Sequence, residues 1–353
     1  MSTLLKKTLF IVGTFAAVLL AAFVLFSQNK QAADMQRQRQ SFLDFFAATA
    51  KWIAFSVPLD KDVVALAVID RITNHRRLIL SGNTFLAFPR FSADGEHIFV
   101  VRGMQTAVGS ELLSCTISDW SCRILTRAVE PILWPVEVRK GVVLYVGSDR
   151  PDDGRRRHYD FYLLDSPSQP IRLSAFELYN LNAINVFNDE IIFSTSGSVS
   201  PNDVLFPKPV PLARASSEIF MLHADFEQQR LIIPSRQLEP LYVIDGFSTL
   251  PTTSDDGLNV AFLNRRITKN KDRYNLVIAR IDGTIQQYVD STTTRFSRPA
   301  FVGRSVLVNE LSESRYETTL VDLSNNSTRQ IAVFDYTPSA LDSLERVEIR
   351  TME

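Results

Sequence analysis

Basic side chains are concentrated in three stretches of this 353-residue sequence. The residues concerned are Arg150, Arg155, Arg156, Arg157 and His158; Lys208 and Arg214; and Arg265, Arg266, Lys269, Lys271 and Arg273. Guanidinium and ammonium groups bind carboxylate, sulfate and phosphate oxygens through charge-assisted hydrogen bonds. Because the formal net charge is only −1, the clusters are local, and no nucleic-acid partner is indicated. They predict a binding face for a protein or an anionic glycan; the alternative is that charged loops only keep the surface soluble.

Residue types that catalyse reactions or hold metals do not form a recognisable site in this sequence. The four histidines include no His-x-x-x-His pair. Asp152 and Asp153 stand near His158, but the sequence positions no second acid/base group beside them. Neither a Gly-x-Ser-x-Gly nucleophile motif nor a glycine-rich phosphate loop occurs. We therefore assign no catalytic residue, metal or cofactor, and we prefer a non-catalytic function.

The two cysteines, Cys115 and Cys122, lie in the segment SCTISDWSCR. If Ser118 and Asp119 form the tip of a hairpin, the cysteines face each other across antiparallel strands, close enough for a disulfide. An exported, oxidising compartment permits such a bond. The alternative is a pair of buried thiols. Six intervening residues without a nearby histidine do not match a metal-site pattern.

An uncharged segment of 19 residues, from Thr8 to Phe26, follows Lys6 and Lys7. As a helix it is about 28 Å long, close to the hydrocarbon thickness of a bilayer. A transmembrane signal anchor is preferred to a cleaved signal peptide because the apolar run is long and no clean cleavage site follows it. The predicted order is a cytoplasmic tail at 1–7, the anchor at 8–26 and a stalk or linker at 27–46.

Short apolar runs that are suited to buried strands recur after residue 50. They begin at residues 51, 96, 141, 190, 259 and 304, so the successive intervals are 45, 45, 49, 69 and 45 residues. The long interval contains an insertion at about 197–216, which has four prolines. This insertion is interpreted as a lid, a docking arm or a tolerated surface loop. A regular period of this length is typical of a repeat architecture.

A strand–turn–strand pattern follows each apolar run, so that each repeat supplies about four strands. Six such units predict an all-β fold: a six-bladed β-propeller of four-stranded blades over residues 47–353, preceded by one transmembrane helix. A single blade cannot cover both of its faces, whereas blades stacked around an axis cover each other. The segment RVEIRTM at 346–352 is expected to pair into the first blade, with a frayed tail as the alternative.

Two repeats carry the same turn between a proline and a buried strand. The first copy has Pro89, Phe91, Ser92, Asp94, Gly95, Ile98 and Phe99, and the second has Pro251, Ser254, Asp256, Gly257, Val260 and Phe262. These residues resemble the TolB-like propeller family, whose blades carry the pattern Pro-x-Phe/Trp-Ser-Pro-Asp-Gly-x-x-Ile-x-Phe. Ala93 and Asp255 replace the second proline, and Thr253 replaces the aromatic residue. The resemblance covers about residues 50–335.

The resemblance implies an exported propeller that most often serves as a protein-interaction scaffold. On that fold the basic stretches fall in the loops between the second and third strands of the third, fourth and fifth blades, on one face of the disc. The expected function is a membrane-tethered, non-catalytic protein- or glycan-binding scaffold of the bacterial envelope. Its anchor would lie in the inner membrane and its propeller in the periplasm or outside the cell. The alternative is a glycan-active lyase or hydrolase built on a TolB-like propeller.

Overall fold

The computed structural model describes residues 42–60, 63–82, 84–103, 109–148, 158–165, 169–198, 205, 217–267, 272–290, 296–312, 315–325 and 327–352. The predicted tail at 1–7, the predicted anchor at 8–26 and the stalk as far as residue 41 lie outside this range. Within the described part of the chain, no helix has the length and apolarity needed to cross a membrane. The described residues form mainly β-strands, together with a short helix, α1 (Pro338–Asp342).

The strands follow each other at short intervals along the chain. The first half comprises β1 (Phe46–Ala48), β2 (Trp52–Pro58), β3 (Val64–Asp70), β4 (Arg76–Leu80), β5 (Phe85–Phe91), β6 (His97–Gly103), β7 (Ser110–Thr116), β8 (Ser121–Ala128), β9 (Leu133–Arg139), β10 (Val142–Gly147), β11 (Asp160–Asp165), β12 (Ile171–Arg172) and β13 (Asn182–Phe187). The second half comprises β14 (Glu190–Thr195), β15 (Glu218–Asp225), β16 (Arg230–Leu231), β17 (Phe247–Thr253), β18 (Asn259–Ile267), β19 (Asp272–Arg280), β20 (Ile285–Asp290), β21 (Ala300–Val302), β22 (Ser305–Leu311), β23 (Arg315–Asp322), β24 (Ser327–Asp335), β25 (Glu345–Glu348) and β26 (Arg350–Met352). The six predicted apolar runs are all present, as β2, β6, β10, β14, β18 and β22.

Antiparallel four-stranded sheets form the later part of the propeller. Strands β9–β12, β13–β16, β17–β20 and β21–β24 make four separate sheets of this kind. Strands β1–β8 form one ten-stranded sheet together with β25 and β26. The prediction of six separate four-stranded sheets is therefore corrected. Val64 of β3 pairs in parallel with Phe85 of β5 and joins the first two groups of four strands into one sheet.

Burial on both faces explains why the second strand of each group is mainly apolar. All six residues of β10 are buried, for example, and so are the last six residues of β22. Sheets that are covered on both sides have continuous apolar strands instead of alternating ones. The first and last groups pack together: the Phe55 ring lies 5.1 Å from the Phe334 ring and 5.0 Å from the Tyr316 ring, measured between centroids. The disc is closed by this aromatic contact.

The repeated serine–aspartate–glycine turn has the same hydrogen bonds in both copies. Ser92 Oγ donates to Asp94 Oδ1 at 2.6 Å, and Ser254 Oγ donates to Asp256 Oδ1 at 2.6 Å. Gly95 and Gly257 follow with φ values of 71° and 68°, a backbone conformation that side chains disfavour. The shared motif therefore encodes a turn that positions the second strand of a blade.

The C-terminal segment extends two outer strands in parallel. Strand β25 pairs with β4, and β26 pairs with β8. Arg77 Nε donates to Glu345 Oε2 at 2.7 Å and supports the first of these pairings. Strand β25 thus joins the first group of strands, as predicted, whereas β26 joins the second group. Both pair at an outer edge, and in the first group β1 already occupies the innermost position.

Candidate functional site

The innermost strands surround a central channel. Strands β1, β5, β9, β13, β17 and β21 contact one another in cyclic order. Residues at the beginning of these strands lie toward one end of the channel, and the turns that follow them lie toward the other. We call the first end the loop side, because the loops between the second and third strands of each group lie there. We call the other end the turn side, because the serine–aspartate–glycine turns lie there.

Four inner strands contain the same backbone irregularity. Phe88, Trp134, Ala183 and Leu250 have φ between 51° and 59°, although none of them is glycine. Each lies at a register shift between the innermost strand and the next one. Such a conformation costs on the order of 1 kcal/mol per residue, and it clusters where a site needs a particular side-chain direction. These four left-handed residues therefore make the channel wall a candidate binding site.

Proline follows three of these left-handed residues. Pro89, Pro135 and Pro251 come directly after Phe88, Trp134 and Leu250. The corresponding proline of the sixth repeat, Pro299, comes directly after Arg298. An arginine thus occupies the position that is apolar in the other proline-containing repeats.

Aromatic side chains fill part of the channel beside this arginine. The ring centroids of Phe45 and Phe88 lie 4.2 Å apart, and those of Phe88 and Trp134 lie 4.7 Å apart. The Arg298 guanidinium carbon lies 5.5 Å from the centroid of the Trp134 ring, within cation–π distance. The aromatic cluster therefore forms a wall for the cation.

Arg298 is buried in the channel, with 3% of its surface exposed. Its Nη2 donates to the Ile184 carbonyl at 2.6 Å and lies 3.5 Å from the Pro251 carbonyl. Its Nε has no hydrogen-bond partner among the described residues. Burial lowers the pKa of Arg298 well below its ordinary value; the positive charge of Arg90 lowers it further, whereas Asp44 raises it.

Arg90 is the second cation of the channel. Its Nη2 donates to Asn185 Oδ1, and Asn185 Nδ2 donates to Thr253 Oγ1 at 2.6 Å. Burial lowers the pKa of Arg90 to about 10, so the side chain remains protonated at neutral pH. The guanidinium groups of buried Arg298 and half-buried Arg90 thus lie within electrostatic reach of each other.

A cavity opens at each end of the channel. The turn-side cavity, of about 300 Å³, is lined mainly by residues 47–50, 90–93 and 300–303 together with Thr252, Thr253 and Asp255. The loop-side cavity, of about 320 Å³, is lined by Asp44, Trp134, Asn180, Asn182, Ser217, Phe247, Thr249, Leu250, Leu263, Arg265 and Tyr274. Arg90 lines the first cavity and Trp134 the second, so the arginine pair lies between them.

Four of the sequence-predicted binding residues are described, and they do not form one continuous patch. Arg265 lies at the loop-side cavity, with its guanidinium carbon 5.8 Å from the Tyr274 ring centroid. Arg266 is directly opposite Arg273 on the next strand, and therefore on the other face of the sheet from Arg265. His158 Nδ1 lies 3.4 Å from Glu177 Oε2, both side chains being largely buried. The remaining residues, Arg150, Arg155, Arg156, Arg157, Lys208, Arg214, Lys269 and Lys271, lie outside the described part of the chain.

Two smaller features carry other chemistry. Cys115 and Cys122 are directly paired positions of β7 and β8 and are joined by a disulfide.

Asp94, Glu96 and His97 bring metal-ligand atoms within 4.8 Å of one another. Because Asp94 already accepts hydrogen bonds from Ser92 and from the backbone of Glu96, its carboxylate serves the turn.

The channel arginines were not predicted from the sequence. Neither residue belongs to a charged stretch, and a sequence pattern does not reveal that a charge is buried. One usable signal was present, however, because Arg298 breaks the apolar pattern before the repeat proline. Its functional interest becomes apparent only once the inner strands are arranged around one axis.

Comparisons with known proteins define the class to which this fold belongs. Structural similarity extends to TolB from Acinetobacter baumannii, with 16% identity, a TM-score of 0.59, and coverage of 82% of this chain and 66% of that one. A putative TolB from Agrobacterium tumefaciens has 12% identity and a TM-score of 0.52, with coverage of 77% of this chain and 89% of that one. The chain therefore has the fold of a TolB-like β-propeller, as the repeat motif predicts.

Other propellers are more distant. The oligogalacturonate lyase from Vibrio parahaemolyticus has 10% identity and a TM-score of 0.46, with coverage of 78% of this chain and 75% of that one. Neither a protein-family model nor a curated protein sequence matches this chain. At 16% and 12% identity, the two TolB comparisons establish the fold alone.

Proposed function

We propose that this protein is a membrane-tethered, non-catalytic scaffold of the bacterial envelope that binds a partner protein on the loop side of its propeller. The proposed anchor is the segment at 8–26, with the propeller in the periplasm or outside the cell. The proposed partner presents an acidic surface, because the loops on this side are the most basic part of the sequence. We also propose that the ten-stranded sheet serves as two blades, which gives the ring six structural units.

The end of the β18–β19 hairpin is the observation that carries this function. Arg266 and Arg273 are exposed and directly opposite each other, an arrangement of like charges that destabilises a strand pair. A carboxylate from a partner placed between them relieves this repulsion. The unfavourable pairing is therefore more easily explained by binding than by folding.

Exposed apolar surface accompanies these charges. Ile267 is 59% exposed and Tyr288 is 45% exposed. The Arg266 guanidinium carbon lies 5.7 Å from the centroid of the Tyr288 ring. Arginine and tyrosine are enriched in protein interfaces and in the residues that dominate their affinity. This combination supports a protein partner more than a purely electrostatic contact.

Other features are compatible with an extracytoplasmic scaffold. The disulfide between Cys115 and Cys122 suits an oxidising compartment. The ring contact of the six innermost strands supports the six-unit interpretation, since each group of four strands contributes one of them. The resemblance to TolB-like propellers supports a role in protein interaction.

Site-specific photo-crosslinking in living cells tests the proposed binding face. A crosslinking amino acid at Ile267 should give a discrete protein adduct, whereas the same group at Leu258, an exposed residue beside a turn-side loop, should not. The double charge reversal Arg266→Glu and Arg273→Glu should reduce the adduct at least about tenfold, because two charged contacts are lost. Equal amounts of adduct at both positions, or an adduct that the charge reversal does not reduce, would refute the proposal that the partner binds at this hairpin.

Two further measurements address the remaining parts of the proposal. A reporter that is active only outside the cytoplasm, fused after residue 353, should be active if the propeller is exported. The purified full-length chain should not depolymerise polyuronates. Cleavage of such a glycan would refute the non-catalytic function and support the lyase alternative.

A further inference from the structure

The two channel arginines, together with the turn-side cavity, constitute a second candidate site, separate from the proposed protein-binding face. We propose that Arg90 and Arg298 bind the carboxylate group of a small ligand that enters through the turn-side cavity. The proposal concerns the carboxylate itself, which is common to free organic acids and to the C-terminus of a peptide. It does not depend on the scaffold function.

The charge balance of the channel is the first argument. Arg90 and Arg298 each carry a guanidinium group, and Asp44 is the acidic group whose charge acts on Arg298. A buried charge is costly unless it is paired and hydrogen-bonded. Asp44 is half-buried, and its effect on the pKa of Arg298 is outweighed by burial and by the charge of Arg90. A ligand with a single negative charge completes the balance.

Unused hydrogen-bonding capacity is the second argument. Arg298 is 3% exposed, and its Nε lacks a hydrogen-bond partner among the described residues. Buried polar groups nearly always have a partner, so an orphaned guanidinium N–H requires an explanation. A carboxylate oxygen can accept a charge-assisted hydrogen bond from this Nε–H while Nη2 stays bonded to the Ile184 carbonyl. A carboxylate would therefore supply both the hydrogen-bond acceptor that Nε lacks and the negative charge that balances the two arginines.

Fixed orientation is the third argument. The Ile184 carbonyl accepts from Arg298 at 2.6 Å, and the Trp134 ring packs against the guanidinium face. Arg90 is held by Asn185, which is itself held by Thr253. Side chains that are held in this way lose little conformational freedom when a ligand binds. The pair is therefore organised before binding, unlike two mobile surface arginines.

Access is provided by the turn-side cavity. Arg90 lines this cavity, and so do Thr252 and Thr253, which follow the Pro251 carbonyl near Arg298. Its volume of about 300 Å³ is at the lower end of the range for ligand pockets and suits a small molecule or the end of a peptide. Asp255 is an exposed acidic residue on the lining, which disfavours ligands with several negative charges. A monocarboxylate is the ligand that these features select.

Calorimetric titration of the full-length chain in detergent tests the proposal with three probes. N-acetyl-L-alanine represents a peptide C-terminus, acetate represents a free small acid, and N-acetyl-L-alaninamide has the shape of the first probe without the charge. We expect saturable binding of at least one carboxylate and none of the amide. Binding of acetate as tightly as N-acetyl-L-alanine identifies a free acid as the natural ligand class, and preference for the latter identifies a peptide end. Absence of carboxylate binding, or equal binding of the amide, refutes the site without any variant.

Variants locate the site. Arg90→Met and Arg298→Met retain much of the side-chain volume and should each weaken carboxylate binding about 10- to 100-fold, the usual effect of removing a charged hydrogen bond. Arg172→Met is the matched control, since it removes a partly buried guanidinium that is bonded to Asp160 in another part of the propeller. Equal weakening by the control, or unchanged binding in both channel variants, overturns the assignment.

Discussion

The two glycines of the repeated turn permit a direct test of how neighbouring blades are packed. Gly95 and Gly257 occupy the same position of the motif and have φ values of 71° and 68°. An alanine at either position suffers the same backbone strain, about 1–2 kcal/mol for a left-handed L-residue. Their surroundings differ, however. A Cβ at Gly95 meets nothing within 4 Å, whereas one at Gly257 falls 1.9 Å from Cε1 of Phe187.

The predicted difference follows from that contact. Gly95→Ala should lower the free energy of unfolding by the strain alone. Gly257→Ala should lower it by about a further 1–3 kcal/mol, because Phe187 on β13 must move away from the turn that precedes β18. Replacing Phe187 by leucine in the Gly257→Ala background should recover part of this loss, whereas in the Gly95→Ala background the same replacement should only destabilise.

Urea unfolding followed by tryptophan fluorescence is a suitable assay, because Trp52, Trp120 and Trp134 lie in different sheets or turns of the propeller. A thermodynamic cycle over residues 257 and 187 isolates their coupling. Equal destabilisation by the two glycine variants would refute the reasoning. A coupling energy near zero would do so independently, since it would show that the turn does not pack against the adjacent sheet.

Two further predictions concern the disulfide and acid sensitivity. The double variant Cys115→Ser and Cys122→Ser should lower the free energy of unfolding by about 2 kcal/mol, because the bond closes a short loop in the unfolded chain; an unchanged urea midpoint would contradict this. Hydrogen bonds from Ser92 and Ser254 lower the pKa values of Asp94 and Asp256 below those of the unfolded chain. A lowered pKa in the folded state stabilises the fold above about pH 4, and this contribution disappears as the pH falls through the folded-state value. Thermal unfolding from pH 7 to pH 2 should therefore show a smaller loss of stability for the Asp94→Asn and Asp256→Asn double variant than for the wild type; identical pH profiles would contradict it.

The channel and the hairpin face suggest two distinct modes of recognition on one disc. At the end of the β18–β19 hairpin, exposed arginines and a tyrosine offer a broad surface on which charge and apolar area contribute together. Within the channel, two guanidinium groups are held in place by hydrogen bonds and offer a small binding position. The first suits a protein and the second a single anionic group. Because the two sites involve different residues, variants in one should not affect binding at the other.

Sequence patterns predicted the secondary structure of the propeller well. The regular spacing and the apolar runs correctly locate the second strand of every group, because a strand that is buried on both faces is mainly apolar. The serine–aspartate–glycine motif correctly predicts its turn, because the backbone there requires a glycine with positive φ. Both features depend on residues that are neighbours along the chain, so a sequence pattern can predict them.

Sheet organisation was less predictable. A single residue pair, Val64 with Phe85, joins two groups of strands that the repeat pattern treats as separate. The tail pairs at the outer edges of β4 and β8, whereas the sequence predicted pairing into the first group alone and did not indicate these edges. Such pairings depend on how strand edges meet in space, and no residue type marks them.

By itself, the sequence determined the repeated strands, the hairpin turns and the resemblance to TolB-like propellers, because each depends on residues that are neighbours along the chain. The tertiary structure alone decided that Arg90 and Arg298 share one channel, since more than 200 residues separate them. It also decided that Arg265 lies on the opposite face of its sheet from Arg266 and Arg273, so that the basic stretch is divided. Closing the strands around an axis converts charges that are distant in sequence into one electrostatic environment, and it is this closure that creates the candidate carboxylate site.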